Sequence, residues 1–338
     1  MQPFNPQIAA DILSEIKKAH KILMHCHPNP DGDSLGSTLA MQHSLKTIGK
    51  EATVIIGDSH KPAYLSMLPG FDTIVIKNVL EVDLKEYDLF LILDSAAPGQ
   101  VTRLGELVFP ESLQTIIIDH HTSNPGFAKI NLVDPSYAAT THMIYDLLKM
   151  WNIEVTHEAA LCLFTGIYTD TASFKYNLSK NLLNTAAHLI DIAPECTKII
   201  HTIHHSNTKE NIRFQAIMLN SVKTFFNDSV AITSITNEEM KASNITGDTI
   251  HASGVADFLK SVVGWNIGVT LTELNPGKVR VNFRSKDKNV IDVAKVALAM
   301  GGGGHPEAAG VSFSGSVAEA QEKVLQAIAE THPQLGPK

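Results

Sequence analysis

The sequence predicts two domains, an α/β domain with a mainly parallel sheet and flanking helices, followed by a smaller α+β domain. Three observations predict it. The 338 residues exceed one small module. In the first part, short apolar β-forming runs alternate with helical patterns, as in parallel sheets. Beyond about residue 205 the order becomes a helix, strands separated by a helical patch, and closing helices.

Taken in order, Ile8–His20 has the spacing of an amphipathic helix and KILMHC (21–26) that of a buried strand. Ser34–Ile48 is helical and stops at Gly49. ATVIIG (52–57), TIVI (73–76), LFLIL (89–93) and TIIID (115–119) are strands, and helices follow at about 139–151, 157–169, 180–193 and 195–205. Polar residues interrupt the apolar period at His204–Thr208, which marks a boundary. After it come a helix at about 209–224, a strand at 230–235, a helical patch, strands at 267–274 and 278–285, and helices at about 289–299 and 316–330. No internal repeat is present, and the only low-complexity tract is the glycine run at 301–304.

Apolar residues at 44% supply a core, and charged residues at 18% argue against global disorder. The net charge is −8, from 27 basic and 35 acidic side chains, the wrong sign for gripping long nucleic acid through its backbone. Residues 1–210 hold 15 basic and 23 acidic side chains and residues 211–338 hold 12 of each, so the whole net charge lies in the first part. No apolar stretch approaches the roughly 18–20 residues of a membrane span. The start lacks a basic flank followed by an apolar block. Cys26, Cys162 and Cys196 are odd in number and far apart, so they form neither a disulfide framework nor a thiolate zinc site. A soluble cytoplasmic protein is expected.

Three predicted strands end in chemistry-bearing groups. Strand 21–26 runs into His27-Pro-Asn-Pro-Asp31-Gly-Asp33, strand 89–93 into Asp94, and strand 115–118 into Asp119-His120-His121. Ligands of open α/β sheets sit at these carboxyl ends. A lone aspartate there is ordinarily a cap or turn residue, but capping does not require this ensemble. Mixed carboxylate and imidazole donors suit manganese, iron, cobalt, zinc or magnesium. About six ligands exceed one small cation's needs and point to two metals roughly 3.5–4 Å apart, as in phosphate-ester hydrolysis. Asp170, in the last turn of an apolar helix, opposes the helix dipole, which suits either a surface acid or a further ligand. The run Gly301–Gly304, with His305, is either a flexible connector or a close backbone approach to an anion. Arg284-Ser285, ending a strand, is either an edge-strand surface pair or a fork for phosphate.

Together, HPNPDGDSLGS (27–37), LILDSA (91–96), Asp119-His120-His121, GIYTDTASF (166–174), VNFRSK (281–286) and GGGGHPEAAG (301–310) closely resemble the DHH phosphoesterase superfamily. The branch most similar is the standalone oligoribonuclease and pAp phosphatase group (NrnA-like), which includes cyclic di-AMP phosphodiesterases. The resemblance implies a catalytic domain over 1–193, a helical linker over 194–210 and a substrate-binding domain over 211–332, with the active site in the interdomain cleft. It implies one metal on His27, Asp31 and Asp94, and a second on Asp33, Asp94, His120 and Asp170. The usual ion would be Mn2+, two per site, with Mg2+ or Co2+ as alternatives. His121 would adjoin the scissile phosphate, with Asp119 orienting a histidine. Arg284, Ser285, the backbone of Gly302, Gly303 and Gly304, and His305 would hold the nucleotide. His25 is expected in the core, and His204-His205 as a solvated pair.

The leading expectation is a manganese-dependent phosphodiesterase in which a metal-bridging hydroxide attacks short 5′-phosphorylated oligoribonucleotides or pAp. A standalone cyclic di-AMP or pApA phosphodiesterase is the alternative. A catalytically inactive nucleotide-binding regulator and a protein using metal only to fold are the readings of another class. The partners expected are small nucleotides, with no long duplex, no membrane and a homodimer as one possible assembly.

Overall fold

Six short strands of the first part pair side by side, and the inner ones are buried between their neighbours. In this computed structural model, which describes residues 5–246 and 252–335, Pro6–Lys18 (α1) leads into Ile22–His25 (β1) and Gly32–Thr47 (α2). Ala52–Ile56 (β2), Val75–Ile76 (β3), Leu89–Leu93 (β4), Gln114–Asp119 (β5) and Ile130–Val133 (β6) follow. All pairings are parallel, in the order β3-β2-β1-β4-β5-β6. The chain thus builds outward from β1 in one direction and from β4 in the other, so the order reverses between β1 and β4.

Strand alternation gives the sheet two apolar faces. Ile22, Met24, Leu91, Ile116 and Ile118 pack under the helices, among them Thr140–Met150 (α3), His157–Asp170 (α4), Lys180–Ile192 (α5) and Cys196–His204 (α6). Leu23, Ile55, Phe90, Ile92 and Ile117 pack under short 3-10 turns and loops carrying Val79, Leu84 and Val101. Two details depart from the sequence reading. β6 has a single buried residue, so no apolar run announces it. The expected strand 73–76 shrinks to Val75–Ile76 because Phe71–Thr73 forms a 3-10 turn.

The chain divides into two units between Ser206 and Asn207. The segment 194–210 is shared between them: α6 buries Cys196 and Ile199 in the first unit's core, while Lys209 already opens the second unit's first helix. That unit contains Lys209–Asn220 (α7), Lys223–Phe225 (β7), Val230–Ile235 (β8), Asn237–Ala242 (α8), Ala252–Ser261 (α9), Ile267–Asn275 (β9) and Lys278–Ser285 (β10). Val293–Ala299 (α10), Gly303–His305 (β11), Ala308–Ser314 (β12) and Val317–Thr331 (α11) complete it.

Its sheet has the order β11-β12-β10-β9-β8-β7, antiparallel except for β8 with β9. Val279, Val281 and Phe283 of β10 share a core with α10 and α11. The helix expected over 209–224 stops at Asn220, because Ser221 Oγ accepts from the Ser234 amide at 2.9 Å and docks the chain on β8. The helix expected from 289 starts at Val293, capped by the Asp292 side chain. Among the described residues no helix is long and apolar enough to cross a membrane.

Candidate metal centre

The first unit's strands β1, β4 and β5 run into His27, Asp94 and Asp119-His120-His121 where the strand order reverses, the usual ligand position of such sheets. Asp94 has φ 54°, a left-handed backbone that costs a non-glycine residue on the order of 1 kcal/mol. It is 2% exposed, and its carboxylate lies 3.5 Å from His27 Nε2 and 3.8 Å from His120 Nε2. Asp31 does cap α2, accepting from the amides of Asp33 and Ser34 at 3.0 Å, yet the same Oδ1 lies 3.8 Å from His27 Nε2. Capping and the candidate ligand role coincide in one carboxylate.

Asp33 is buried and held by the N-terminus of α3. It accepts from the amides of Thr140 (2.6 Å) and Thr141 (2.9 Å) and from Thr141 Oγ1 (2.6 Å), so the helix dipole and three donors support its charge. Thr140 Oγ1 also donates to Asp94 Oδ1 at 3.1 Å. The sequence reading missed both threonines, since Asp33, the partner they share, lies over a hundred positions away. Gly166 of α4 makes room for this arrangement: a Cβ there would lie 2.5 Å from Thr141 Oγ1 and 2.7 Å from Asp33 Oδ1. The close approach sets Asp170, at the end of α4, 3.4 Å from His120 Nε2.

Each histidine has a distinct state. His27 Nδ1 lies 3.2 Å from the Pro28 carbonyl, which fits an Nδ1–H donor and turns Nε2 toward the carboxylates. Burial lowers the His27 pKa, but the bond to Asp94 and the charges of Asp31 and Asp94 outweigh it and lift it to about 9. His121 is raised likewise to about 9, burial being outweighed by the 2.7 Å bond from Nδ1 to Asp119 Oδ1 and by nearby carboxylates. Asn124 Nδ2 donates to the other Asp119 oxygen at 2.7 Å and fixes that orienting acid; it too was missed. His120 is pushed down, chiefly by burial, which favours the neutral, ligand-ready ring.

The carboxylates divide the same way. Burial and the charge of Asp94 push Asp33 well up, and burial with the charges of Asp33, Asp31 and Asp94 does so to Asp170. Asp94 is also disfavoured by burial, but His27, His121 and His120 overcome this and hold it low. Such mutually repelling, buried acids gain most from a multivalent cation. Among the described residues, three groups have ligand atoms within 4.8 Å of one another: His27, Asp31 and Asp94; Asp33, His120 and Asp170; and Asp94, His120 and His121. The oxygen and imidazole donor set fits hard-to-borderline divalent ions, and Asp94 touches both sides.

The second unit presents a different surface. Arg284 stands on β10 with its side chain 19% exposed. Ser285, next on the strand, is 2% exposed, and its Oγ has no hydrogen-bond partner among the described residues; alternation removes it from the surface that Arg284 offers. The glycine run is neither a loose connector nor wholly a loop: Gly303–His305 forms a hairpin with β12. A Cβ at Gly302 would lie 2.3 Å from the Gly310 carbonyl and one at Gly304 2.5 Å from Ala309 Cα, so both serve that close pairing. Gly303 faces open space. His25 is buried edge-on to Phe90, with its pKa pushed down to about 3, mainly by burial, and takes part in none of the three groups. His204 Nε2 lies 2.7 Å from Tyr168 Oη, so it is anchored, whereas His205 is exposed and stacked on His201.

Comparison with known proteins identifies the family. Residues 21–167 match the DHH family, N-terminal domain, and residues 227–331 match the DHHA1 domain. A Thermus thermophilus protein named bifunctional oligoribonuclease and PAP phosphatase NrnA is 30% identical, over 96% of this chain and 95% of its own. An exopolyphosphatase-related protein from Bacteroides fragilis superposes with a TM-score of 0.89 at 24% identity, covering 99% of both chains. RecJ from Thermus thermophilus, solved in complex with Mn2+, has a TM-score of 0.55 at 14% identity, over 98% of this chain and 55% of RecJ. The chain belongs to the DHH family, in the branch of the NrnA-named proteins, with a DHH domain followed by a DHHA1 domain.

Proposed function

We propose that this chain is a manganese-dependent phosphodiesterase that hydrolyses short 5′-phosphorylated oligoribonucleotides, pAp, or both, to mononucleotides. The observation that carries this reading is the convergence of Asp31, Asp33, Asp94 and Asp170 with His27 and His120 at one sheet edge, Asp94 facing both sides. The name of the 30%-identical relative supports the substrate class. His27, Asp31 and Asp94 would hold one cation, and Asp33, Asp94, His120 and Asp170 the other. Mn2+ suits this carboxylate-rich set with imidazoles, and Mg2+ or Co2+ suit the same donors. When bound, the pair supplies Lewis-acid stabilisation of phosphoryl charge and a water of lowered pKa.

The chain's own groups do the remaining work. His121, kept charged by Asp119, presents a positive edge to a phosphoryl oxygen. Asp119 is its positioning residue. Arg284, His305 and the Gly302–Gly304 backbone hold the nucleotide. The three buried, free cysteines suit a reducing cytoplasm.

Chromatographic product analysis of metal-stripped protein tests the reading, with and without Mn2+, on pApA, pAp, cyclic di-AMP, a longer RNA and pyrophosphate. Manganese-dependent AMP release from pApA, with slow action on the long RNA, is expected. Faster turnover of cyclic di-AMP would shift the assignment to that alternative, and no hydrolysis despite bound manganese would favour an inactive regulator.

A further inference from the structure

Strand register in the second unit places Arg284 on a defined surface. Across the sheet, His305 stands opposite Ala308, Ala308 opposite Arg284, and Arg284 opposite Gly268. Side chains directly opposite share a face. Arg284 and His305 therefore point the same way, about 10 Å apart at two strand spacings, with Ala308 on the strand between them. Helix α9 lies on that face too: a Cβ at Gly268 would fall 2.3 Å from the Ala256 carbonyl and 3.0 Å from Leu259 Cβ. The opposite face, with Val281 and Phe283, is the apolar core.

From α9, Asp257 reaches the guanidinium. Its Oδ2 accepts from Arg284 Nε at 3.2 Å, and its Oδ1 accepts from Lys260 Nζ at 2.8 Å. Arg284 Nη1 donates to the Phe283 carbonyl at 3.1 Å. A guanidinium has five N–H donors. Two are engaged among the described residues, and three are left on Nη1 and Nη2, the terminal nitrogens that can grip a phosphate bidentately. One carboxylate thus serves two cations, and the trio keeps a net positive charge.

We propose that Asp257 and Lys260 are positioning residues of a phosphate-binding group centred on Arg284, built for a terminal phosphate monoester. Asp257 fixes the guanidinium through Nε so that its outer edge faces the ligand. Lys260, tethered by the same carboxylate, places a second positive charge beside it, which suits a dianion better than a singly charged internal diester. This rests on the reading of Arg284 as a substrate-holding residue.

The test is steady-state kinetics of the full chain with Mn2+ on pApA and on the same dinucleotide bearing a 5′-hydroxyl. Asp257→Asn is expected to raise KM for pApA about tenfold with kcat little changed, the size of one charge-assisted bond. The 5′-hydroxyl dinucleotide should show no such rise. Lys260→Gln should act in the same direction and Lys260→Arg should restore affinity. Combined with Arg284→Ala, Asp257→Asn should add nothing, because it acts through that arginine. Equal KM increases on both dinucleotides, or full additivity with Arg284→Ala, would overturn the proposal. An effect of Arg284→Ala with none from Asp257→Asn or Lys260→Gln would sink this inference alone. No effect of Arg284→Ala would sink the substrate-holding reading and this inference with it. Thermal melting of each variant separates these outcomes from misfolding.

Discussion

The first unit gathers anions and the second gathers cations, each by the means its own sheet allows. In a parallel sheet every strand ends at the same edge, so β1, β4 and β5 deliver His27, Asp94 and Asp119-His120-His121 to one place. Those acids are buried and need support, which the α3 N-terminus provides through Thr140 and Thr141. In the antiparallel sheet, groups converge through register across a face, as Arg284 and His305 do. Arg284 keeps partial exposure and is held by Asp257 and by the Phe283 carbonyl. The contrast teaches that a carboxylate cluster is costly to assemble and intolerant of change, while a partly exposed cation fork is adjustable.

That contrast can be broken most directly at Asp94. Asp94→Ala removes the group shared by both sides of the cluster and should lower kcat on the order of 1,000-fold or more, several kcal/mol of lost charge stabilisation. Near-normal turnover would mean that the cluster is not the reacting centre.

The next largest effect is expected at Thr141→Val, which deletes one donor to Asp33 without replacing a candidate ligand. Manganese affinity, read by titration, should fall about 10- to 100-fold, as for other partners that orient metal ligands. In the second unit, Arg284→Ala should raise KM about tenfold and leave kcat nearly unchanged. If Arg284→Ala instead matched Asp94→Ala in kcat, the two units would not divide the work as described.

A pH slope tests the first unit by itself. His27 in the metal-free protein has its pKa raised to about 9, so it is protonated at neutral pH. A ligand imidazole must lose that proton, so manganese affinity should rise with pH, up to about tenfold per unit, and flatten near pH 9. A flat affinity between pH 7 and 9 would remove His27 from the ligand set.

Much of the site was legible because its donors are neighbours of strand ends. His27, Asp94 and Asp119 each follow an apolar run, and a strand end is a local pattern. The missed groups have no such marker. Thr140 and Thr141 bond an acid 107 and 108 positions away, and Asp257 meets Arg284 across 27. Ser285 was read together with Arg284, although adjacent strand residues point to opposite faces and its burial follows from that alternation. The hairpin at 303–305 was hidden because glycines carry no β signal of their own.

The kinds of donors, their order and their attachment to strand ends can be read along the chain, as can a net charge confined to the first part. These are properties of residues and their near neighbours. Which donors meet depends on how the elements pack. The reversal between β1 and β4, the close passage of α4 at Gly166, and the register that aligns Arg284 with His305 arise from packing between segments far apart in the chain. Packing of that kind depends on shape and close approach across the core, which no local periodicity encodes.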